Sequence, residues 1–132
     1  MKRAILAIIA VFVTWCLLDV VIHELILSSS YEETSQLWRP VGEMKMYLVY
    51  ITVLILAIAF VTIYARYVST KGVTTGLSYG LIFGLGIGIS MGYGSYAVMP
   101  IPYSMAFTWF VGTLVEMTLG GLIMGLIIGK GA

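Results

Sequence analysis

The sequence predicts an all-α fold: an integral membrane four-helix bundle whose antiparallel helices run up and down in turn. Of its 132 residues, 61% are hydrophobic and only 10% are charged, with a mean hydropathy of +1.05. A soluble domain of this size could not bury so much apolar surface. Four apolar runs, at roughly residues 4–28, 46–68, 73–98 and 103–128, are each long enough to span a membrane, which takes about 20 residues. Residues 1–132 are therefore predicted to form a single transmembrane domain.

The first apolar run begins after Lys2 and Arg3, as a secretory signal peptide would. Its apolar stretch is too long for a signal peptide, it contains ionisable residues, and no A-x-A cleavage site ends it. Trp15 in front of Cys16 also fits a lipoprotein cleavage site badly. We therefore expect this run to remain in the protein as a membrane span.

The distribution of basic residues predicts the orientation of the bundle. If four helices alternate in direction, one side of the membrane receives five basic residues: Lys2, Arg3, Arg66, Lys71 and Lys130. The other side receives only Arg39 and Lys45, beside three glutamates. Since basic residues accumulate on the cytoplasmic side, both termini are predicted to be cytoplasmic. The predicted location is a bacterial inner (plasma) membrane, which the chain crosses several times.

The first connection, here called loop 1 (residues 28–45), is the only long one. Ser30 and Glu33 have the spacing of a capping box. They predict a short helix over about residues 31–38, ended by Pro40. Two interpretations remain open, an interfacial anchor and a lid over the end of the bundle. The anchor interpretation uses three large side chains that suit the lipid headgroup level: Tyr31, Leu37 and Trp38.

Glycines recur at every fourth position of the third run, in the pattern of a glycine zipper. They are Gly76, Gly80, Gly84, Gly88 and Gly92. A second series in the fourth run consists of Gly121, Gly125 and Gly129. Small residues at this spacing allow two helix backbones to approach closely within lipid. The two series either pack the third and fourth helices of one chain together, or form the interface of a homo-oligomer.

Ionisable residues inside the spans require an explanation. Asp19 and His23 lie four residues apart on one face of the first helix, and Glu116 lies deep in the fourth. An Asp at the centre of a span costs about 2.5–3.5 kcal/mol on insertion scales. The interior of the spans contains no Lys or Arg to pair with these acids. Three explanations remain open: neutral carboxyls, an Asp19–His23 ion pair, or an external proton, metal ion or substrate amine.

Asp19, His23 and Glu116 are predicted to converge in one polar site that binds a cation or lies on a proton pathway. The full set of candidate residues is Asp19, His23, Glu116, Trp15, Ser90 and Tyr93. Two carboxylates and an imidazole would suit Zn²⁺, Mn²⁺ or Fe²⁺, which makes a divalent metal an alternative occupant. No other cofactor is indicated. Cys16, the single cysteine, excludes an intrachain disulfide and a Cys-pair metal motif.

Three motifs carry a resemblance to known proteins. They are W-x-x-x-D-x-x-x-H around Asp19, LWRP-x-x-EM in loop 1 and YAVMPIP before the fourth run. The combination resembles a group of small four-helix bacterial membrane proteins that are usually labelled hypothetical, which implies the same topology. In size the chain also looks like the small multidrug resistance transporters, whose first helix carries an essential acid. That resemblance implies a coupling role for Asp19, although Glu116 and His23 depart from it.

Two classes of function therefore compete. One is a small oligomeric transporter or channel for a cation or a proton-coupled solute, with Asp19, His23 and Glu116 in its pathway. The other is a structural or accessory membrane subunit whose buried polar groups specify helix packing. The sequence contains no recognisable catalytic arrangement and no nucleic-acid-binding motif. The predicted partners are the lipid bilayer and further copies of the chain.

Overall fold

The computed structural model describes residues 1–129, so Lys130, one of the five basic residues counted above, lies outside the described residues. The described chain is helical and contains no strand. Helix α1 (Lys2–Asp19) continues into a π-helical segment (Val20–Ile26), and a short helix α2 (Ser28–Glu33) follows. The remaining elements are two 3₁₀ turns (Ser35–Leu37 and Val41–Glu43) and the helices α3 (Met46–Tyr67), α4 (Val73–Val98) and α5 (Tyr103–Gly129).

Four of these helices are long and apolar enough to cross a membrane. Their spans are Lys2–Ile26, Met46–Tyr67, Val73–Val98 and Tyr103–Gly129, with mean hydropathies between 1.4 and 2.8. The predicted number of long apolar helices is confirmed, and each predicted boundary lies within two residues of the observed one. Length and apolar composition were sufficient for this prediction because neither depends on tertiary contacts.

Helices α4 and α5 pack closely along the two glycine series. A Cβ atom placed on Gly80 would overlap the carbonyl oxygen of Met117, and one on Gly92 would lie 2.6 Å from the carbonyl oxygen of Ala106. Since residue numbers rise on α4 as they fall on α5, the two helices are antiparallel. The face formed by the α4 glycines therefore packs against α5 of the same chain, as the first of the two interpretations predicts.

Helix α1 and the π-helical segment pack against another face of α5, where two further glycines make room for large side chains. A Cβ on Gly112 would lie 2.8 Å from Ile22 Cδ1, and one on Gly120 would lie 2.9 Å from Trp15 Nε1. Glu116 lies midway between these glycines, so it is held on the face of α5 that α1 covers.

Helix α3 contacts the bundle mainly through its second half. Its buried residues are Ala57, Phe60, Val61 and Tyr64. The rings of Phe60 and Tyr79, on α3 and α4, have centroids 4.8 Å apart, and the Tyr79 hydroxyl donates a 2.8 Å hydrogen bond to the Phe60 carbonyl. The first residues of α3, from Met46 to Thr52, are exposed. The bundle is therefore less tightly closed on the side where α3 begins.

The structure corrects three details of the first span and loop 1. The short helix covers Ser28–Glu33 rather than about residues 31–38: the Tyr31 N–H already bonds to the Leu27 carbonyl, and a separate 3₁₀ turn follows after Thr34. Ser30 lies inside this helix, and no side-chain cap forms at its start, so the capping-box prediction is wrong. The first span is also not α-helical throughout, since i→i+5 bonding takes over after Asp19.

Candidate functional site

A cavity of about 150 Å³ lies between α1, α3, α4 and α5 and contains the predicted charged residues in its wall. Asp19, His23 and Glu116 all line it, together with Trp15. Apart from Thr113 and Gly112, the rest of the wall is apolar and comes from all four helices: Ile22, Val53, Leu56, Ile87, Met91, Trp109 and Met117. The structure thus brings together four of the six candidate residues, three from the first predicted span and one from the fourth.

Glu116 has the least satisfied side chain of the site. Its Oε1 atom is buried and has no hydrogen-bond partner among the described residues. The Asp19 carboxyl lines the same cavity. Two carboxylates that share a cavity repel when both are ionised, and a proton or another cation between them removes that repulsion. The pair is therefore arranged to hold positive charge.

Trp15 fixes the backbone beneath the Glu116 side chain. Its indole Nε1–H donates a 2.6 Å hydrogen bond to the Glu116 carbonyl oxygen. The indole reaches this backbone oxygen because Gly120, one turn further along α5, has no side chain. Trp15 is only 2% exposed, and its ring also packs edge-on against Phe60 of α3. It therefore supports Glu116 rather than presenting a polar group to the cavity.

Asp19 and His23 lie at the junction of α1 and the π-helical segment. His23 Nε2 is 3.7 Å from Asp19 Oδ1, which is too long for a direct hydrogen bond but suits a charge interaction. Their side chains are 30% and 37% exposed, respectively. π-Helical turns are rare and occur frequently at functional sites. Here the wider turn begins directly after Asp19 and contains His23.

Loop 1 supplies a residue of this region that the sequence did not indicate. The Tyr31 hydroxyl lies 2.7 Å from His23 Nδ1, and it accepts a 2.9 Å hydrogen bond from the Trp109 indole N–H. The His23 and Tyr31 rings are stacked, with centroids 5.9 Å apart. Tyr31 was predicted only as a residue for the lipid interface. Because 78 residues separate Tyr31 from Trp109, no local pattern could have revealed their contact.

Burial raises the pKa of the Tyr31 hydroxyl above its ordinary value of 10.0, and the nearby Asp19 charge adds to the increase. The hydrogen bond from Trp109 opposes this effect, but burial is the larger cause. Tyr31 is thus a neutral phenol near pH 7 and retains a hydrogen that it can donate.

The rest of loop 1 packs onto the end of α5 beside this contact. The Trp38 ring is 5.4 Å from the Tyr31 ring and 6.1 Å from the Trp109 ring, both in edge-to-face arrangements. Its indole N–H donates a 2.8 Å bond to Thr34, whose hydroxyl bonds in turn to the Ser30 carbonyl. Loop 1 therefore packs against two residues of the cavity wall, His23 and Trp109.

Ser90 and Tyr93 lie apart from the cavity. Ser90 is exposed, and the Tyr93 hydroxyl pairs with that of Tyr103 at 3.0 Å. Tyr103 also contacts Tyr96 edge-on, so these tyrosines form a separate aromatic group between α4 and α5. Depth along the helix alone placed Ser90 and Tyr93 near the acids, whereas their direction around the helix separates them from the cavity.

The metal hypothesis for Asp19, His23 and Glu116 is not supported by the geometry. Within residues 1–129, no three His, Cys, Asp or Glu side chains are grouped closely enough to hold a metal ion. One reason is that His23 Nδ1 already faces Tyr31, which leaves Nε2 as its only nitrogen near an acid. Without His23, Asp19 and Glu116 would provide only two carboxylates, which is a small number of ligands for a divalent metal.

Comparison of the chain with protein-family models, curated proteins and solved structures gave no significant match. Inferences about function therefore depend on the geometry of the cavity and its ionisable side chains.

Proposed function

We propose that the protein is a small transporter or channel that moves a proton or another monovalent cation across a bacterial inner membrane, with both termini in the cytoplasm. The proposal depends on the buried carboxyl oxygen of Glu116, which has no hydrogen-bond partner among the described residues and shares a cavity with Asp19. Ionisable residues inside membrane spans are costly and usually mark ion or proton pathways. Positive charge that arrives from outside the chain would satisfy both acids.

The composition of the cavity wall supports a cation rather than an anion. Among the residues that line it in the described chain, two are acids and none is Lys or Arg. The indoles of Trp15 and Trp109 form part of the wall, and aromatic rings attract cations by their quadrupole. The incomplete ligand set argues for a proton, a monovalent ion or an ammonium group over a divalent metal.

An accessory subunit is the second candidate, and one observation favours it. The Trp109–Tyr31–His23 hydrogen bonds connect α5, loop 1 and the end of the first span. Polar groups that bond to each other in this way can serve to specify packing alone. On this alternative the acids would contribute to stability or to a partner's binding, and no flux would depend on them.

Flux measurements in proteoliposomes separate the two candidates. Purified protein is reconstituted, and an imposed gradient drives protons, monitored with an entrapped pH dye, or methylammonium, monitored by uptake. We expect Asp19→Asn and Glu116→Gln each to lower the flux about tenfold or more, since a hydrogen bond to a charged group contributes about 1.5–3 kcal/mol. Glu24→Gln is the matched control, because Glu24 is an exposed acid of the same span outside the cavity.

The proposal fails if the wild-type protein adds no flux of either probe to that of empty vesicles. It also fails if both cavity variants conduct as the wild type and the Glu24→Gln control do.

A further inference from the structure

The contacts of His23 determine which of its ring nitrogens carries hydrogen. Tyr31 lies against Nδ1 at 2.7 Å, and Asp19 lies near Nε2 at 3.7 Å. An indole N–H can only donate, so the bond from Trp109 uses the Tyr31 oxygen as an acceptor. A phenolic hydroxyl has one hydrogen to donate and can accept on its oxygen. These rules leave two arrangements of hydrogen between Tyr31 and His23.

In the first arrangement, the Tyr31 hydroxyl donates to His23 Nδ1, and the ring hydrogen is on Nε2. Each hydrogen of these groups is then directed at an acceptor: Trp109 donates to Tyr31, Tyr31 donates to Nδ1, and Nε2–H faces the Asp19 carboxylate. In the second arrangement, Nδ1–H donates to Tyr31, whose oxygen then accepts two hydrogen bonds. The Tyr31 hydrogen is left without any other acceptor in the described part of the chain, and the Nε2 lone pair faces a carboxylate. The first arrangement is favoured at both nitrogens.

We propose that Tyr31 is a positioning residue of the site: its hydroxyl, oriented by Trp109, holds neutral His23 as the tautomer with hydrogen on Nε2, and so directs an N–H group towards Asp19. The functional part of this inference rests on the proposed cation site, whereas the tautomer itself does not. Tyr31 does not line the cavity, so it acts through His23.

The consequence for the site is that His23 exchanges hydrogen with the cavity through Nε2 alone. Its other nitrogen is closed off by loop 1 for as long as the Tyr31 bond is in place. The titratable groups that face His23 are Asp19 on its own span, Tyr31 in loop 1 and Glu116 across the cavity on α5.

Nitrogen NMR of histidine tests the tautomer directly. Because the chain contains one histidine, protein labelled with ¹⁵N-histidine gives a single pair of ring-nitrogen signals without any assignment step. Spectra are recorded on protein in lipid or detergent, at a pH above the imidazole titration that the same series reveals. We expect the population of the tautomer with hydrogen on Nε2 to exceed that of the Nδ1–H tautomer about tenfold or more. This ratio corresponds to the free-energy cost of leaving one polar group unpaired.

Two variants identify the cause of this preference. Tyr31→Phe keeps the ring and removes the hydroxyl, so the excess of Nε2–H should fall by about fivefold or more. Trp109→Phe removes the N–H that orients Tyr31, and it should shift the ratio in the same direction by a smaller factor. Tyr96→Phe is the control, since Tyr96 is exposed on α4 and its ring packs against Tyr103 rather than against His23 or Tyr31. It should leave the ratio unchanged.

An excess of Nδ1–H in the wild type would overturn the inference. So would an unchanged ratio in Tyr31→Phe, which would show that Asp19 alone sets the tautomer. If Tyr31→Phe does not fold, Trp109→Phe decides, and an unchanged ratio there counts against the role of Tyr31. The NMR result and the flux result are independent of each other. An excess of Nε2–H together with wild-type flux in both Asp19→Asn and Glu116→Gln would refute the proposed function and leave the tautomer standing.

Discussion

Glu116→Leu should make the protein more stable while it abolishes flux. The buried Oε1 atom has no partner in the described structure, so removal of the carboxyl eliminates the cost of an unsatisfied polar group. Leucine also places apolar atoms beside a cavity that has room for them. We expect the free energy of unfolding to rise by about 1–2 kcal/mol. Stability is measured by unfolding in mixed detergent micelles, and flux by the proteoliposome assay.

The comparison variant is Thr113→Val, which changes another wall residue without removing an ionisable group. It should alter flux much less than Glu116→Leu does. A loss of stability in Glu116→Leu would contradict the account, since it would show that the carboxyl makes stabilising contacts. That result would favour the accessory-subunit alternative, in which the buried acids specify packing.

Adding a single methyl group at Gly80 should strongly destabilise the bundle. The Cβ atom of Gly80→Ala would overlap the Met117 carbonyl oxygen, and a backbone atom cannot move aside as a flexible side chain can. Gly121→Ala should act in the same way, because its Cβ would overlap the carbonyl oxygen of Gly76. We expect each variant to lose about 2–3 kcal/mol of unfolding free energy as α4 and α5 separate. Loss of helical circular dichroism against denaturing detergent measures it.

Gly86→Ala and Gly94→Ala are matched controls on the same helix. A Cβ at either position would meet nothing within 4 Å. Alanine is a better helix former than glycine by up to about 1 kcal/mol, so these variants should be neutral or slightly more stable. Equal effects at Gly80 and Gly86 would show that close contact with α5 does not determine stability.

Much of the fold could be predicted because the features involved are local or periodic. The spans follow from the length and apolarity of each run, and the close approach of α4 and α5 follows from glycines at every fourth position. The meeting of Asp19 and Glu116 was also expected, from their depth in spans that can be neighbours. His23 was expected beside Asp19 because residues four positions apart lie on the same face of a helix.

The remaining features depend on contacts that a single sequence does not display. The π-helical segment after Asp19 is a change in backbone hydrogen bonding, and no residue type specifies it. Tyr31 meets Trp109 through the tertiary fold, so its role was assigned to the lipid interface instead. The Ser30 capping box failed because the helix starts earlier, at Ser28. Ser90 was expected near the acids from its depth alone, but it faces away from them.

The accessibility of the cavity to water tests the central claim most directly, since a cation pathway must be wet. In a Cys16→Ser background, Thr113→Cys places a thiol in the cavity wall, and Val115→Cys places one on the exposed face of α5 that lipid would cover. Both proteins, and a loop control, Ser35→Cys, are reconstituted and treated with a small charged thiosulfonate on both sides of the membrane. Because the thiolate is the reactive form, a thiol in lipid should not react. The account predicts labelling of Thr113→Cys and Ser35→Cys, and none of Val115→Cys. Labelling of Ser35→Cys alone would mean a dry cavity, and would contradict a cation pathway through Asp19 and Glu116.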